Sequence, residues 1–279
     1  LLKTLFESVT FNAEALATLE RHARSGGHGE RLLQVLSRQL RGAQTVAEQG
    51  AALCAMAAVH GGRGEVHRAL EFFRLATDQL PSFLPAPRGW LRAAREVEAP
   101  EEAALAREAE AEATLLPSWR ARCHHSAARL WADAGDGDRA RQAYERVLEI
   151  EPRLPEALDE LRGLLKQARD YPRLAHLYEH QIGNAPPREQ RDLLERKAEL
   201  QRRHLQDLSG ARDSISRALE LFPEDPKLLS TLAELCRTSK DWRALAGVNE
   251  RLSRLISDQV LLKALHFELG QIWERRLPD

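Results

Sequence analysis

The chain has 279 residues; 30% are charged yet the net charge is −1, 43% are hydrophobic, and only 5% are aromatic. So even a balance lacks the basic excess that displaces counterions from phosphates, so no nucleic-acid partner is expected. No run of 18 apolar residues occurs, so no membrane insertion is expected either.

Read in chain order, the elements are helices punctuated by glycine and proline. Leu1–Glu7 reads as the tail of a helix whose start is missing. Ser25-Gly26-Gly27-His28-Gly29 is a turn, and a helix led by Leu33 follows it. Gly61-Gly62-Arg63-Gly64 is the next turn, before a helix carrying Ala69, Phe73 and Ala76 and stopped by Pro81. A helix led by Leu105 comes next, and its Glu- and Ala-rich segment Ala103–Ala113 reads as a solvated face. Gly135-Asp136-Gly137-Asp138 makes another turn, with Asp138 as the expected N-cap of the helix Arg139–Ile150. In that helix Ala140, Ala143, Tyr144, Val147 and Leu148 form one apolar stripe at 3.6-residue periodicity. Leu158, Leu161, Leu164 and Leu165 mark the following helix, and period-two strand patterns are absent throughout.

The chain also aligns with itself. Small, aromatic or apolar, apolar and Pro recur at offsets 0, 4, 7 and 12 in Ala69–Pro81, Ala140–Pro152 and Ala211–Pro223, three copies spaced 71 residues apart. A following proline keeps step as Pro85, Pro155 and Pro226, and Leu174, Tyr178 and Pro186 repeat the offsets of 0, 4 and 12. With Leu33, Leu105 and Leu245 this makes seven second helices of hairpins, arranged as a doublet of about 71 residues. A fold class follows: all-α, a solenoid of stacked helix hairpins in which each unit buries its face only against its neighbours.

A period near 34, an Ala with an aromatic four residues later and a Pro at twelve resemble the tetratricopeptide (TPR) family. Trp131 sits where that family favours Tyr, and Ala128 where it favours Gly. The resemblance covers nearly the whole chain and implies a right-handed superhelix, with first helices lining a concave groove. It further implies one solenoid domain over residues 1–279. Ile272-Trp273-Glu274-Arg275-Arg276-Leu277-Pro278-Asp279 aligns with Leu200–Asp207, just ahead of the Ala211 helix, so the sequence reads as an internal slice of a longer array.

On that frame the groove-facing candidates are Arg122, His125 and Arg129, then Asp159, then Glu195 and Glu199, then Glu234. They make one end basic and the other acidic. They do not supply the Lys and Asn pair with which chaperone-type TPR domains clamp a terminal carboxylate. His176-Leu177-Tyr178-Glu179-His180 spells an inverted zinc-protease motif, but Tyr178 holds the buried position and turns both histidines outward. Cys123, His124 and His125 are adjacent and diverge by about 100° each on a helix, so they do not converge on one ion. No catalytic residue, metal ligand or cofactor is expected.

These features describe a non-catalytic scaffold for a protein or peptide partner. A regulatory arm of a larger protein is the alternative, and a helical-toroid enzyme or a half-TPR RNA-binding array are further ones. Leu262, Leu265, Leu269, Ile272 and Trp273 lack a covering helix, so self-association through the C-terminal edge is expected. Cys54, Cys123 and Cys236, odd in number and far apart, suit a reducing compartment, the cytoplasm, although a sequence beginning at Leu1 leaves the periplasm open. Only six of the 41 basic residues are Lys, which points to a GC-rich bacterial genome.

Overall fold

The computed structural model describes residues 29–276 together with Thr18, Arg21 and His22. The readings on Leu1–Glu7, on Ser25–His28 and on Leu277–Asp279 therefore lie outside the described residues. Among the described residues there are fourteen α-helices and no strand. In order they are α1 (Gly29–Gly42), α2 (Val46–Gly62), α3 (Val66–Gln79), α4 (Pro85–Glu96), α5 (Pro100–Ala113), α6 (Pro117–Asp133) and α7 (Gly137–Ile150). They continue as α8 (Pro155–Gln167), α9 (Tyr171–Asn184), α10 (Pro187–Leu200), α11 (Leu208–Leu221), α12 (Pro226–Thr238), α13 (Trp242–Leu255) and α14 (Gln259–Arg275). A π-helical turn, Gln201–Leu205, extends α10. None of these helices is long and apolar enough to cross a membrane.

Backbone contacts divide the chain into two compact units, Leu1–Leu161 and Arg162–Asp279, with the boundary inside α8. In the first unit α2 packs on α3, α4 on α5 and α6 on α7, and α2 also touches α4. In the second, α10 packs on α11, α12 on α13 and α13 on α14. Within each unit these neighbouring helices pack in sequence order, which is the all-α hairpin stack that the 34-residue period encodes.

All seven expected second helices are present, as the odd-numbered α1 to α13. Burial sets their register. In α7 the buried residues are Ala140, Ala143, Tyr144, Val147 and Leu148, offsets 0, 3, 4, 7 and 8. The same offsets are buried in α9 (Leu174, Leu177, Tyr178, Gln181, Ile182) and in α11 (Ala211, Ser214, Ile215, Ala218, Leu219). In α5 they fall on Ala103, Ala106, Glu110 and Ala111, so its lead is Ala103, two residues before Leu105, which is only half-buried. In α1 they fall on Gly29, Leu32 and Leu36, four residues before the expected lead of Leu33. The correction has a physical reason: Leu33 and Leu105 flank the stripe, half-buried against the core, and their larger apolar side chains outweigh the smaller Gly29 and Ala103 that open it.

With the corrected lead of α5, both halves of the doublet keep one period from α3 onward, since Ala103, Leu174 and Leu245 are also 71 apart. The backbone agrees independently. Every positive-φ residue described lies five positions before a lead: Gly64, Glu98, Gly135, Arg169, Gln206 and Lys240. This one left-handed residue ends each first helix and reverses the chain into the second. Only Gly64 and Gly135 take it without steric cost from a Cβ.

One position later stands the N-cap. Asp136, Asp170, Asp207 and Asp241 each accept a hydrogen bond from a backbone N–H three residues on, at 3.0, 3.1, 2.8 and 3.1 Å. The cap of α7 is thus Asp136 and not Asp138, which lies in the first turn and pairs with Arg141. Pro85, Pro155 and Pro226 open α4, α8 and α12, where the missing N–H costs nothing because that group has no intrahelical partner anyway. Trp131 and Ala128 are both buried, at 1% and 0% exposure.

Candidate functional site

The expected groove residues fall in both units and are described unit by unit. On α6, Arg122 and Arg129 are exposed and lie three and four residues either side of His125. His125 is half-buried. Its ring meets the Tyr144 ring edge-on at 5.7 Å, so it anchors α6 to α7 at least as much as it faces solvent. Asp159 on α8 is exposed. Arg122 and Arg129 on α6 and Asp159 on α8 thus each present an exposed charged side chain.

In the second unit Glu195, Glu199 and Glu234 stand on α10 and α12, and Glu234 is exposed. The acidic character expected here is offset by neighbours. Glu195 accepts a hydrogen bond from Lys227 Nζ at 3.1 Å and lies 3.6 Å from Arg191. Glu199 is held by the fork of Arg202 at 2.8–3.0 Å, and Arg203 pairs with it as well. Both carboxylates line a cavity of about 790 Å³ whose other charged groups are basic. Sequence reasoning missed this because the bases come from α8, from the π-helical turn and from α12, which periodicity does not bring together.

The Ala103–Ala113 segment is not a solvated face. Glu110, at offset 7 of α5, is buried and its side chain is 1% exposed. It accepts hydrogen bonds from Arg88 Nε at 2.8 Å, Arg107 Nη1 at 2.7 Å and Trp119 Nε1 at 3.3 Å. Burial alone would raise its carboxyl. The Arg88 hydrogen bond and the Arg107 charge outweigh that and hold it below the ordinary range. Two more acids of this hairpin take indole donors: Glu102 from Trp90 at 2.8 Å and Glu108 from Trp131 at 3.1 Å. A signal existed, since each Trp needs an N–H partner when buried, but it could not be assigned without the packing.

All three thiols are buried. Burial pushes Cys54 up to about 12 and Cys123 to about 11, and raises Cys236, which is the opposite of an activated nucleophile. His176 and His180 are both exposed while Tyr178 between them is buried, as the helical geometry required. On α14, Ile272 is buried and Leu262, Leu265 and Leu269 are half-buried, whereas Val260, Leu261, Phe267 and Trp273 are between 52% and 76% exposed. The apolar edge expected at the C-terminus is therefore carried by a partly different set of residues.

No family model matches the chain, and neither does any curated protein. Solved structures do. The chain is similar to a tetratricopeptide repeat protein from Parabacteroides merdae at 14% identity, covering 92% of this chain and 98% of that one, with a TM-score of 0.33. It is similar to pilF of Pseudomonas aeruginosa at 16% identity, covering 89% and 99%, with a TM-score of 0.29. A third similar structure is the APC/C hetero-tetramer Cut9-Hcn1, at 13% identity and a TM-score of 0.34. Here 94% of this chain is covered, and it spans about half, 48%, of the chain it matches.

Proposed function

We propose that this chain is a non-catalytic scaffold that holds a protein or peptide partner on the exposed faces of its first helices. The supporting observation is where the reactive groups lie. The thiols are buried and raised, and Glu110, the deeply buried carboxylate, is locked between two guanidinium groups. Neither disposition suits nucleophilic or general-acid work, which needs groups tuned towards the operating pH and open to substrate. What the helices do present is a set of fixed polar groups: Arg122, His125, Arg129 and Asp159 in the first unit, Glu195, Glu199 and Glu234 in the second. Arg suits such a surface, because its planar fork pairs bidentately with carboxylates while its stem covers apolar area.

The test is a pair of charge and control variants assayed on a captured partner. Arg122→Glu with Arg129→Glu should weaken binding by about 1–3 kcal/mol and leave helicity unchanged. His176→Ala with His180→Ala, on a second helix, should leave binding as it was. The reverse pattern would move the interaction surface to the second helices.

A further inference from the structure

The cavity of the second unit is lined by six Lys or Arg side chains and by two carboxylates, Glu195 and Glu199. Its volume of about 790 Å³ lies within the range of ligand-binding clefts, about 300–1,000 Å³. In a chain whose net charge is −1 this is a local concentration of positive charge. The carboxylates already have partners of their own, Lys227 for Glu195, and Arg202 with Arg203 for Glu199. Lys166 at the end of α8 and Arg196 on α10 are exposed, line the cavity, and form no ion pair among the described residues.

The wall is built, not incidental. After Leu200 the helix widens into the π-helical turn Gln201–Leu205, which ends on the left-handed residue Gln206 at φ 54°. Such turns concentrate at functional sites, because the widened turn re-aims side chains. Here Arg202, Arg203 and His204 all line the cavity, although consecutive residues of a regular helix diverge by about 100°. Two contacts hold the turn. The His204 ring stacks on Tyr171 at 4.1 Å and 18°, and Ser214 Oγ donates to Gln201 Oε1 at 2.7 Å in a buried position.

We propose that this cavity receives a short acidic peptide segment, with Lys166 and Arg196 holding its carboxylates. The assignment rests on the scaffold reading and gives the chemistry of one partner. Separate carboxylates on a peptide can alternate past Glu195 and Glu199. A continuous phosphate backbone would bring each of its charges against them, and the near-neutral chain offers no long-range attraction to offset that.

Fluorescence anisotropy of the full chain with a labelled Glu-rich peptide, its Gln analogue and a single-stranded RNA of equal length tests this. The Glu peptide should bind about tenfold or more tighter than the Gln analogue, and high salt should weaken it. Lys166→Glu with Arg196→Glu should remove that preference, Lys166→Gln with Arg196→Gln should halve it on a logarithmic scale, and far-UV circular dichroism should not change. Arg243→Glu with Arg254→Glu on α13 makes the same change of charge and should bind as the unaltered chain does. Equal binding of Glu and Gln peptides, tighter binding of the RNA, or full binding by the Lys166 and Arg196 charge reversal would overturn the assignment. A displayed random-peptide library selected on the full chain separates the two readings. Enrichment of acidic peptides supports both, enrichment of neutral or basic ones overturns the acidic assignment alone, and no enrichment together with no protein partner overturns both.

Discussion

Replacing Glu110 by Ala should destabilise the first unit by about 3 kcal/mol. The side chain is 1% exposed and three donors converge on it. Its removal strands Arg107, 20% exposed, beside an empty space, and breaking a buried pair by deleting one partner costs about 3–5 kcal/mol. Arg88 is 52% exposed and rehydrates when released, so its share is that of a surface pair, about 0–1 kcal/mol. The estimate therefore sits at the lower end of the buried-pair range. A second variant makes the reasoning sharp. Arg107 and Glu110 occupy offsets 4 and 7, where α7 buries Tyr144 and Val147 and α11 buries Ile215 and Ala218. An apolar pair therefore belongs to the general design of these helices, and Arg107→Leu with Glu110→Leu should return to within about 1 kcal/mol of the unaltered chain. Urea unfolding followed by circular dichroism and by tryptophan fluorescence gives both numbers, provided the m value holds constant across the set. A double variant as unstable as the single one would refute the account, since the loss would then come from packing at offset 7 and not from a stranded charge.

Other consequences can be checked with the same measurements. Tyr144, 1% exposed at offset 4 of α7, should cost about 3–5 kcal/mol when cut to Ala, and a change of a few tenths would mean the register of α7 is wrong. Lys240→Gly should stabilise the chain by up to about 1 kcal/mol, because a left-handed residue with a Cβ pays about 1–2 kcal/mol and glycine returns part of that as unfolded-state entropy; a loss of stability would contradict the assigned φ of 60°. Glu179 is held at about 2 by the Arg217 hydrogen bond, against a smaller opposing effect of burial and with help from Lys197. Its folded value lies below its ordinary one, so its contribution is complete above about pH 4.5 and disappears as the pH falls towards 2. Glu179→Gln should therefore flatten the acid limb of the stability curve, and an unchanged limb would remove Glu179 from it.

The hairpin stack was legible because its causes are local and periodic. Proline at offset 12, small residues at the leads and apolar stripes at helical spacing all lie within one repeat, and each marks an element that the structure contains. The register of α1 and α5 was misread where Leu33 and Leu105 outweighed the smaller Gly29 and Ala103. For α5 the Asp four residues before each later lead would have corrected it, since Asp136, Asp170, Asp207 and Asp241 step by 34, 37 and 34, and a further step of 37 back reaches residue 99, four before Ala103. That signal is absent before Ala103, where Ala99 stands and makes no side-chain cap. The cavity was not legible at all. It depends on a π-helical turn for which no spacing rule exists, and on charges from helices far apart in sequence.

The doublet has a physical counterpart in where polar groups are buried. Alternate second helices carry one inside the stripe: Glu110 in α5, Gln181 in α9 and Asn249 in α13. The intervening α7 buries only apolar residues, and α11 adds a single hydroxyl, Ser214, that is satisfied by Gln201. Two of them have counterparts suited to their own places, Arg88 and Arg107 for Glu110, and Glu268 Oε2 accepting from Asn249 Nδ2 at 3.0 Å, whereas the buried Oε1 of Gln181 accepts no hydrogen bond among the described residues. A chain of equivalent hairpins can pair out of step, one repeat along, with little loss of apolar contact. With these residues in place, a slip of one hairpin takes Glu110 away from Arg88 and Trp119, or Asn249 away from Glu268, and the loss of such hydrogen bonds at a buried group costs about 1–3 kcal/mol. A slip of two hairpins brings polar against polar, but sets Gln181 against Arg88, and a neutral amide cannot balance that guanidinium, while Arg107 on α5 itself moves with Glu110. The irregular positions, those that a repeat consensus would discard as noise, are the ones that distinguish each hairpin from its neighbours.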